Sequence, residues 1–139
     1  MIVLGFDFGM KLIGIATGQS ITQSATPLTC INAANGIPNW EEISQLIQTW
    51  KPDALIVGSP LNMDGSMQLI THCAHKFANR LRHKYQLPVH LVDERLSTWE
   101  SKQYIQNHSK NPSNKQLVKI NATAAAIIVE QWLQTNHSN

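Results

Sequence analysis

The sequence predicts an α/β fold whose elements follow one another in the order βββαβαβαα. Three observations support this order: strand patterns fill the first 31 residues, later strand patterns alternate with helical ones, and the last segment is rich in alanine. The 139 residues are 42% hydrophobic and 14% charged, which fits one globular domain of ordinary size. We therefore expect residues 1–139 to form a single domain with a disordered tail at about 135–139.

Five strands are expected, and the first three open the chain at residues 2–8, 12–17 and 25–31. Apolar and β-branched residues dominate these segments, and Gly9 marks a turn after the first of them. The other two strands are predicted at 54–57 and 88–92, where short continuous apolar runs are typical of buried strands.

Four helices are expected. Asn39 and Glu42 form an N-cap pair before apolar residues at helical spacing, which predicts a helix at 39–51. The same spacing predicts a second helix from residue 69 onwards. The remaining helices are predicted at about 98–106 and from residue 122 onwards, with a mobile basic loop at 107–116 between them.

The composition predicts a soluble protein of the cytoplasm. No apolar stretch reaches the roughly 18–20 residues that span a bilayer, and no charged segment precedes the apolar N-terminus as in a signal peptide. Cys30 and Cys73 lack metal-ligand spacing, so we expect reduced thiols in the core rather than a disulfide or a zinc site.

Basic residues concentrate between residues 76 and 119. Nine of the eleven lie there against three acidic residues, which gives this segment a net charge of +6 and leaves −4 for the rest of the chain. The asymmetry favours a side that faces a polyanion such as nucleic acid, although a solvated helix followed by a flexible loop would give the same pattern.

Asp7 is the first candidate site residue. On the predicted first strand it shares a face with Gly5 and Gly9, so a ligand has room to approach its carboxylate. A carboxylate in a central strand is costly to bury unless it is paired, hydrogen-bonded or bound to a cation. The alternatives are a strand-end aspartate that caps the turn at Gly9 and the first-strand pattern of ATPases of the actin type.

Asp93 and Glu94 follow the fifth strand, at the sheet edge where open α/β sheets bind ligands. Their mutual repulsion needs compensation, which a divalent cation would supply. The alternative is that Asp93 bonds the loop backbone while Glu94 faces solvent. The loop at 58–66 has amides that could hold a phosphate, with Asp64 as a turn residue, and the histidines fit surface positions better than a metal site.

Several segments together resemble the YqgF family. They stand in the family's order, cover nearly the whole chain and are specific in the stretches Asn62-Met63-Asp64-Gly65 and Asp93-Glu94-Arg95-Leu96-Ser97-Thr98. The other matching segments are Gly5-Phe6-Asp7-Phe8-Gly9 with Lys11, Ile13-Gly14-Ile15-Ala16, Val57-Gly58 and the alanine-rich last helix.

The resemblance implies both a fold and an activity. The YqgF family is similar to the RuvC resolvases and has a ribonuclease H-like fold, in which a five-stranded mixed sheet opens with three antiparallel strands and carries helices on both faces. The implied activity is that of a metal-dependent nuclease, Holliday junction resolvase-like and assigned in bacteria to 5′-end maturation of pre-16S rRNA. The implied cofactor is Mg²⁺ or Mn²⁺, with two ions beside bound substrate, and the implied partner is pre-rRNA or branched DNA.

The resemblance also implies roles for individual residues. Asp7 and Glu94 correspond to acidic metal ligands with catalytic roles, and Asp93 is a neighbour whose role is less defined. Lys11 and Arg95 would be phosphate or structural contacts. Apart from the resemblance, we also expect nucleic-acid contacts at Asn62 and at three lysines of the basic segment, Lys110, Lys115 and Lys119. A resolvase that acts symmetrically on two strands would need a dimer, so a monomer and a weak homodimer both remain open.

The chain departs from the family pattern at Asn121. The family has an aspartate there as its third acid, and an amide keeps the oxygen but loses the negative charge. Three functions remain open at this point: a working nuclease in which Asn121 and water complete the site, a nucleic-acid-binding homologue that cleaves weakly or not at all, and an actin-like ATP-binding fragment.

Overall fold

The computed structural model describes residues 1–61, 64, 67–93 and 114–136. Its strands are β1 (Ile2–Asp7), β2 (Leu12–Gln19), β3 (Ser24–Ala34), β4 (Ile37–Pro38), β5 (Ala54–Ser59) and β6 (Val89–Asp93). Its helices are α1 (Trp40–Trp50), α2 (Leu69–Tyr85) and α3 (Asn114–Asn136). Each predicted element within the described residues is therefore present, and the predicted bounds differ from the observed ones by at most three residues except at the start of the last helix.

The strands form one mixed sheet in the order β4-β3-β2-β1-β5-β6. Strands β1 to β4 pair antiparallel with their neighbours in sequence, whereas β5 pairs parallel with both β1 and β6. The expected mixed sheet with three antiparallel opening strands is confirmed. The parallel strands β1, β5 and β6 have their carboxyl ends at the same edge.

The expected number of five strands is wrong, because the sheet has six. The added strand β4 has only two residues, which is too short for a hydrophobic pattern to identify. Asn35 and Gly36 make the turn that folds it back on β3, with φ angles of 53° and 80°. An Asn-Gly pair between two strands is a strong hairpin signal that the sequence already contains.

The last helix begins earlier than expected. Helix α3 starts at Asn114, so residues 114–116 are helical although the basic loop was expected to run to 116. It continues to Asn136, so residues 135 and 136 of the expected disordered tail are helical too. The helix predicted at about 98–106, the loop at 107–113 and residues 137–139 lie outside the described residues.

The two faces of the sheet are covered by different helices. Helices α1 and α2 pack on one face, where the buried core includes Leu4, Phe6 and Phe77. Helix α3 packs on the other face, where Val129 and Ile56 are among the buried residues. None of the helices in the described ranges is both long and apolar enough to span a membrane.

Local capping sets the start of α1. The Asn39 side chain accepts a hydrogen bond of 3.0 Å from the backbone N–H of Glu41, as the N-cap pattern predicts. The helix ends at Trp50, and its C-cap Lys51 adopts a left-handed conformation with φ of 47° and precedes Pro52.

Candidate active site

Asp7 is the last residue of β1 and is almost fully buried, with 3% of its surface exposed. It pairs with Gly14 of β2 on one side and with Gly58 of β5 on the other. Neither neighbour carries a side chain, so the sheet itself does not cover the carboxylate. A buried carboxylate in this setting has to be compensated by hydrogen bonds or by a cation.

The strand register places further residues in one row with Asp7. Cys30 pairs with Gly14, and Val92 pairs with Gly58, so both lie two strands away from Asp7. Adjacent strands are about 4.8 Å apart, which puts these residues within roughly 10 Å of Asp7 between Cα atoms. Asp93 is the next residue of β6, and its backbone pairs with Ser59 at the same sheet edge.

Helix α3 crosses the sheet at Gly14. A Cβ atom built on Gly14 would lie 2.0 Å from the backbone oxygen of Asn121, so only a glycine allows this approach. Because Gly14 is also the cross-strand partner of Asp7, the contact brings Asn121 beside Asp7 although 113 residues separate them in the chain. The alanine-rich part of α3 follows directly, and Ala122, Ala124 and Ala125 are buried.

The amide group of Asn121 has a defined orientation. Its Nδ2 donates a hydrogen bond of 2.8 Å to the backbone oxygen of Leu117, one turn earlier in α3. The amide nitrogen is therefore turned towards its own helix, and Oδ1 is the remaining polar atom of the side chain. A carboxylate could not make this hydrogen bond, because it has no donor at neutral pH.

Cys30 contributes a neutral thiol beside Asp7. Its Sγ donates to the backbone oxygen of Val118 over 3.3 Å, which joins β3 to α3. Burial raises the pKa of this thiol to about 11, and the negative charge of Asp7 acts in the same direction, while a hydrogen bond with the backbone of Ala122 lowers it. Without a metal, Cys30 is therefore a neutral thiol at neutral pH, and it adds no negative charge beside Asp7.

Of the other residues predicted for the site, the structure describes some and leaves others outside its described ranges. Lys11 lies exposed after β1, and Lys115 and Lys119 lie exposed on the first turns of α3. Glu94, Asn62, Arg95 and Lys110 lie outside the described residues. Asp64 lies in a turn, as expected from its Asp-Gly sequence.

Two contacts near the site were not expected from the sequence. Ser59 is buried, and its Oγ lies 3.0 Å from Nε2 of His75 on α2. The fully buried Thr71 donates to the backbone oxygen of Pro60 and accepts a hydrogen bond from the N–H of Gln68. These contacts tie the segment after β5 to α2, and His75 is a half-buried structural partner rather than the expected surface histidine.

The described part of the site fits a hard divalent cation. Asp7 supplies a buried carboxylate and Asn121 an amide oxygen, and oxygen atoms are the ligands that Mg²⁺ and Mn²⁺ prefer. Within the described ranges, no three His, Cys, Asp or Glu side chains cluster as a metal site. A further acidic ligand would have to come from outside the described ranges, and Glu94 is the residue that follows Asp93 in the sequence.

Comparisons with known proteins agree on one family. The family model described as "RuvX: Holliday junction resolvase" matches residues 1–135. The chain is 51% identical over 137 residues to a Shewanella oneidensis protein, covering 97% of this chain and 94% of that one. It is 48% identical over 136 residues to a Coxiella burnetii protein, covering 96% and 93%. Both proteins bear the name "Putative pre-16S rRNA nuclease".

Solved structures support the fold. Thermus thermophilus RuvC in complex with a Holliday junction substrate is similar with a TM-score of 0.55 at 14% identity, covering 99% of this chain and 96% of that one. Fowlpox virus resolvase with Holliday junction DNA gives a TM-score of 0.57 at 13% identity, covering 97% and 98%. These likenesses confirm the RuvC-like, ribonuclease H-like fold. Together with the matches over nearly the whole sequence, they identify the chain as a member of the RuvX/YqgF family of Holliday junction resolvase-like nucleases.

Proposed function

We propose that this chain is a metal-dependent nuclease that hydrolyses phosphodiester bonds in structured RNA, with precursor 16S rRNA as its substrate. The observation that carries the proposal is the buried carboxylate of Asp7 at the carboxyl edge of three parallel strands, with Asn121 held beside it. Relatives at 48–51% identity that bear a pre-16S rRNA nuclease name favour RNA over a DNA junction.

The catalytic residues in this proposal are Asp7, Glu94 and Asn121. These residues, with Asp93 as a neighbour, would hold Mg²⁺ or Mn²⁺, with two ions when substrate is bound. The metal would supply activation of water and stabilisation of the leaving oxygen. Asp7 would bind the metal through its carboxylate, which is buried and so kept away from bulk water. Asn121 contributes Oδ1, while its Nδ2 stays bonded to Leu117.

The proposal extends to the whole chain. Residues 1–139 form one nuclease domain of the cytoplasm, which acts as a monomer or a weak homodimer. Size-exclusion chromatography at several concentrations measures the oligomeric state, and a stable dimer would favour symmetric cleavage of two strands.

A second candidate function is nucleic-acid binding without efficient cleavage. The orientation of Asn121 favours it, because the family carries an acid there and this chain uses the amide as a donor within its own helix. A cation at this site would face one negative charge fewer than in relatives with an aspartate.

Cleavage assays separate the two functions and the two substrates. Labelled precursor 16S rRNA and labelled four-way DNA junctions are incubated with the protein in Mg²⁺, in Mn²⁺ and in EDTA. We expect cutting of the RNA that EDTA abolishes. Cutting of the junction alone would contradict the RNA assignment, and binding of both without cutting would favour the second candidate.

Asn121→Asp is expected to trade stability for metal affinity. Without metal, the variant loses the hydrogen bond to Leu117 and brings a second carboxylate beside Asp7, which costs about 1–3 kcal/mol of unfolding free energy. Because a ligand that binds only the folded state raises stability, Mg²⁺ should raise the melting temperature of the variant more than that of the wild type. Differential scanning fluorimetry in EDTA and in Mg²⁺ measures both effects.

The matched control for this prediction is Asn121→Ala, which loses the same hydrogen bond without adding a charge. In EDTA, Asn121→Ala should melt at a lower temperature than the wild type. Mg²⁺ should raise its melting temperature by no more than it raises that of the wild type. Equal Mg²⁺ shifts in the wild type and in Asn121→Asp would argue that residue 121 does not contact the cation.

Lys115 and Lys119 are expected to contact the nucleic-acid backbone. They lie four residues apart on the exposed side of α3, and they precede Asn121 in the same helix. Replacing both with glutamine should lower the salt dependence of RNA binding by about 1.8 in the slope of log K against log salt if both contact a duplex. Fluorescence anisotropy at several salt concentrations measures the slope.

The control for the lysine pair is Lys51→Asn, which removes one exposed cation at the C-cap of α1. Asparagine tolerates the left-handed conformation of this position, so the fold should be retained. A slope that is the same in the lysine pair variant and in this control would mean that α3 does not touch the backbone.

A further inference from the structure

The basic residues of segment 76–119 do not lie on one side of the molecule. Lys76, Arg80 and Lys84 belong to α2, which covers the sheet face shared with α1. Lys115 and Lys119 belong to α3, which covers the opposite face of the sheet. Asp7 and Asn121 lie on that opposite face. The cations of α2 therefore need an explanation separate from the active site.

These α2 cations line a groove of about 500 Å³ between α2 and the start of α1. The residues that line it are Trp40, Lys76, Asn79, Arg80, His83 and Lys84. Among the described residues, no acidic side chain lines the groove, and α2 itself contains neither aspartate nor glutamate. Glu41 and Glu42 follow Trp40 in the first turn of α1 but are not part of the lining.

The cations form a regular row. Lys76, Arg80 and Lys84 are spaced four residues apart, so they follow one side of α2 at intervals of about 6 Å along the helix axis. Lys76 and Arg80 are exposed, and within the described residues neither has a hydrogen bond or an ion pair. Arg82 is different, because its guanidinium bonds Asn79 and the backbone oxygen of Val89.

Trp40 contacts Lys84, the last cation of the row. Its ring stacks on Phe77 of the core, with a centroid distance of 5.8 Å and an interplanar angle of 25°. The Nζ atom of Lys84 lies 5.3 Å from the centroid of the same ring. This cation–π contact orients the ammonium group without neutralising its charge, so Lys84 remains available to an anion.

We propose that the groove lined by Trp40 and the α2 cations is a second contact site for the phosphate backbone of the RNA substrate, on the sheet face opposite the active site. A row of uncompensated cations suits a chain of phosphates. It does not suit a second copy of this protein, because a two-fold axis at α2 would bring like charges together. The inference rests on the proposed function only in taking RNA as the ligand.

A substrate that reaches both faces must bend around the edge of the domain or extend beyond the scissile site. The groove would therefore favour structured precursor RNA over a short linear strand. Contacts to phosphate position a nucleic acid without reading its sequence, so this site adds affinity and substrate shape preference rather than sequence specificity.

The test measures binding of labelled precursor 16S rRNA in EDTA, where cleavage is absent, for the double variant Lys76→Gln/Arg80→Gln. We expect the salt slope to fall by about 1.4–1.8 and the affinity to fall roughly 10- to 30-fold at moderate salt. Lys51→Asn is the single-charge control; it lies about 16 Å along α1 from Trp40 and should change binding little. Both replaced side chains are exposed, so the fold should be retained.

A double-mutant cycle tests the role of Trp40. If the ring orients Lys84, then Trp40→Leu and Lys84→Gln should each weaken binding, and the combination should weaken it no further than Lys84→Gln alone. Additive losses would contradict the positioning role. Melting curves of each variant establish that it is folded, and Lys84→Gln alone still tests the groove if Trp40→Leu is unstable.

The outcomes separate this inference from the proposed function. RNA binding by the wild type that is unchanged in Lys76→Gln/Arg80→Gln would overturn the second site and leave the nuclease proposal intact. A variant that binds RNA normally but changes the oligomeric state would overturn it too, because the groove would then be a protein interface. A wild type that neither binds nor cleaves RNA would overturn both.

Discussion

Asp7→Asn is expected to reduce metal-dependent cleavage by at least about 10³-fold, equivalent to about 4 kcal/mol of transition-state stabilisation. The amide lacks the negative charge that a divalent cation requires, and Asn121 beside it is already neutral. The fold should be unaffected or stabilised, because the variant removes a buried charge while keeping the side chain's shape. Cleavage of labelled precursor rRNA in Mg²⁺ and thermal unfolding in EDTA measure the two effects.

Asp53→Asn is the matched control for this change. Asp53 is exposed, and its Oδ2 accepts a hydrogen bond of 2.9 Å from the N–H of Ile2 at the start of β1. That position lies roughly 16 Å along the strand from Asp7, and an asparagine can still accept the bond. The control should cleave normally. Full activity of Asp7→Asn would contradict the assignment of the site, whereas loss of activity in both variants would indicate a general defect.

The sequence predicts the parts of the fold that depend on local patterns. Alternation and apolar runs locate β1 and β5, and the Asn39 cap locates α1, because burial of one face imposes a period on each element. The sequence patterns do not reveal the strand β4, because two residues are too few to show an alternating pattern. The early start of α3 is not predicted either. Polar residues in its first turns face solvent, and an exposed helix has the same composition there as a loop.

The site is less predictable, because its residues meet through tertiary contacts. A carboxylate between glycines marks Asp7 as unusual in the sequence alone. Nothing in the spacing indicates that Asn121 lies beside it; only the family resemblance does, and the physical cause is the contact of α3 with Gly14. The net charge of segment 76–119 suggests one basic side for the same reason: the sequence does not show that the sheet separates α2 from α3.

Gly14→Ala is expected to lower the unfolding free energy by about 3 kcal/mol, at the upper end of the usual cost of overpacking. The added Cβ would lie 2.0 Å from the backbone oxygen of Asn121, 2.4 Å from its carbonyl carbon and 3.0 Å from the nitrogen of Ala122. No rotation of a side chain relieves contacts with a helix backbone, so α3 has to move away from β2. For a chain of this size, the melting temperature should fall by roughly 6–12 °C.

The same displacement should impair cleavage. Moving α3 away from Gly14 separates Asn121 from Asp7, and small misplacements of positioned groups reduce rates strongly. We therefore expect Gly14→Ala to lose activity at temperatures well below its melting temperature. Wild-type cleavage in a destabilised Gly14→Ala variant would indicate that the position of Asn121 does not matter for the chemistry.

Gly5→Ala provides the comparison that isolates the backbone contact. Its Cβ would lie 2.1 Å from Cγ2 of Val129, which is a side-chain atom of the same helix α3. Val129→Ala removes that methyl group, so the combination with Gly5→Ala should cost less than the sum of the single changes. Gly14→Ala should gain no such relief from Asn121→Ala, because its clash is with main-chain atoms. Equal rescue in both pairs would mean that α3 is held over β2 by its side chains rather than by the close approach of its backbone to Gly14.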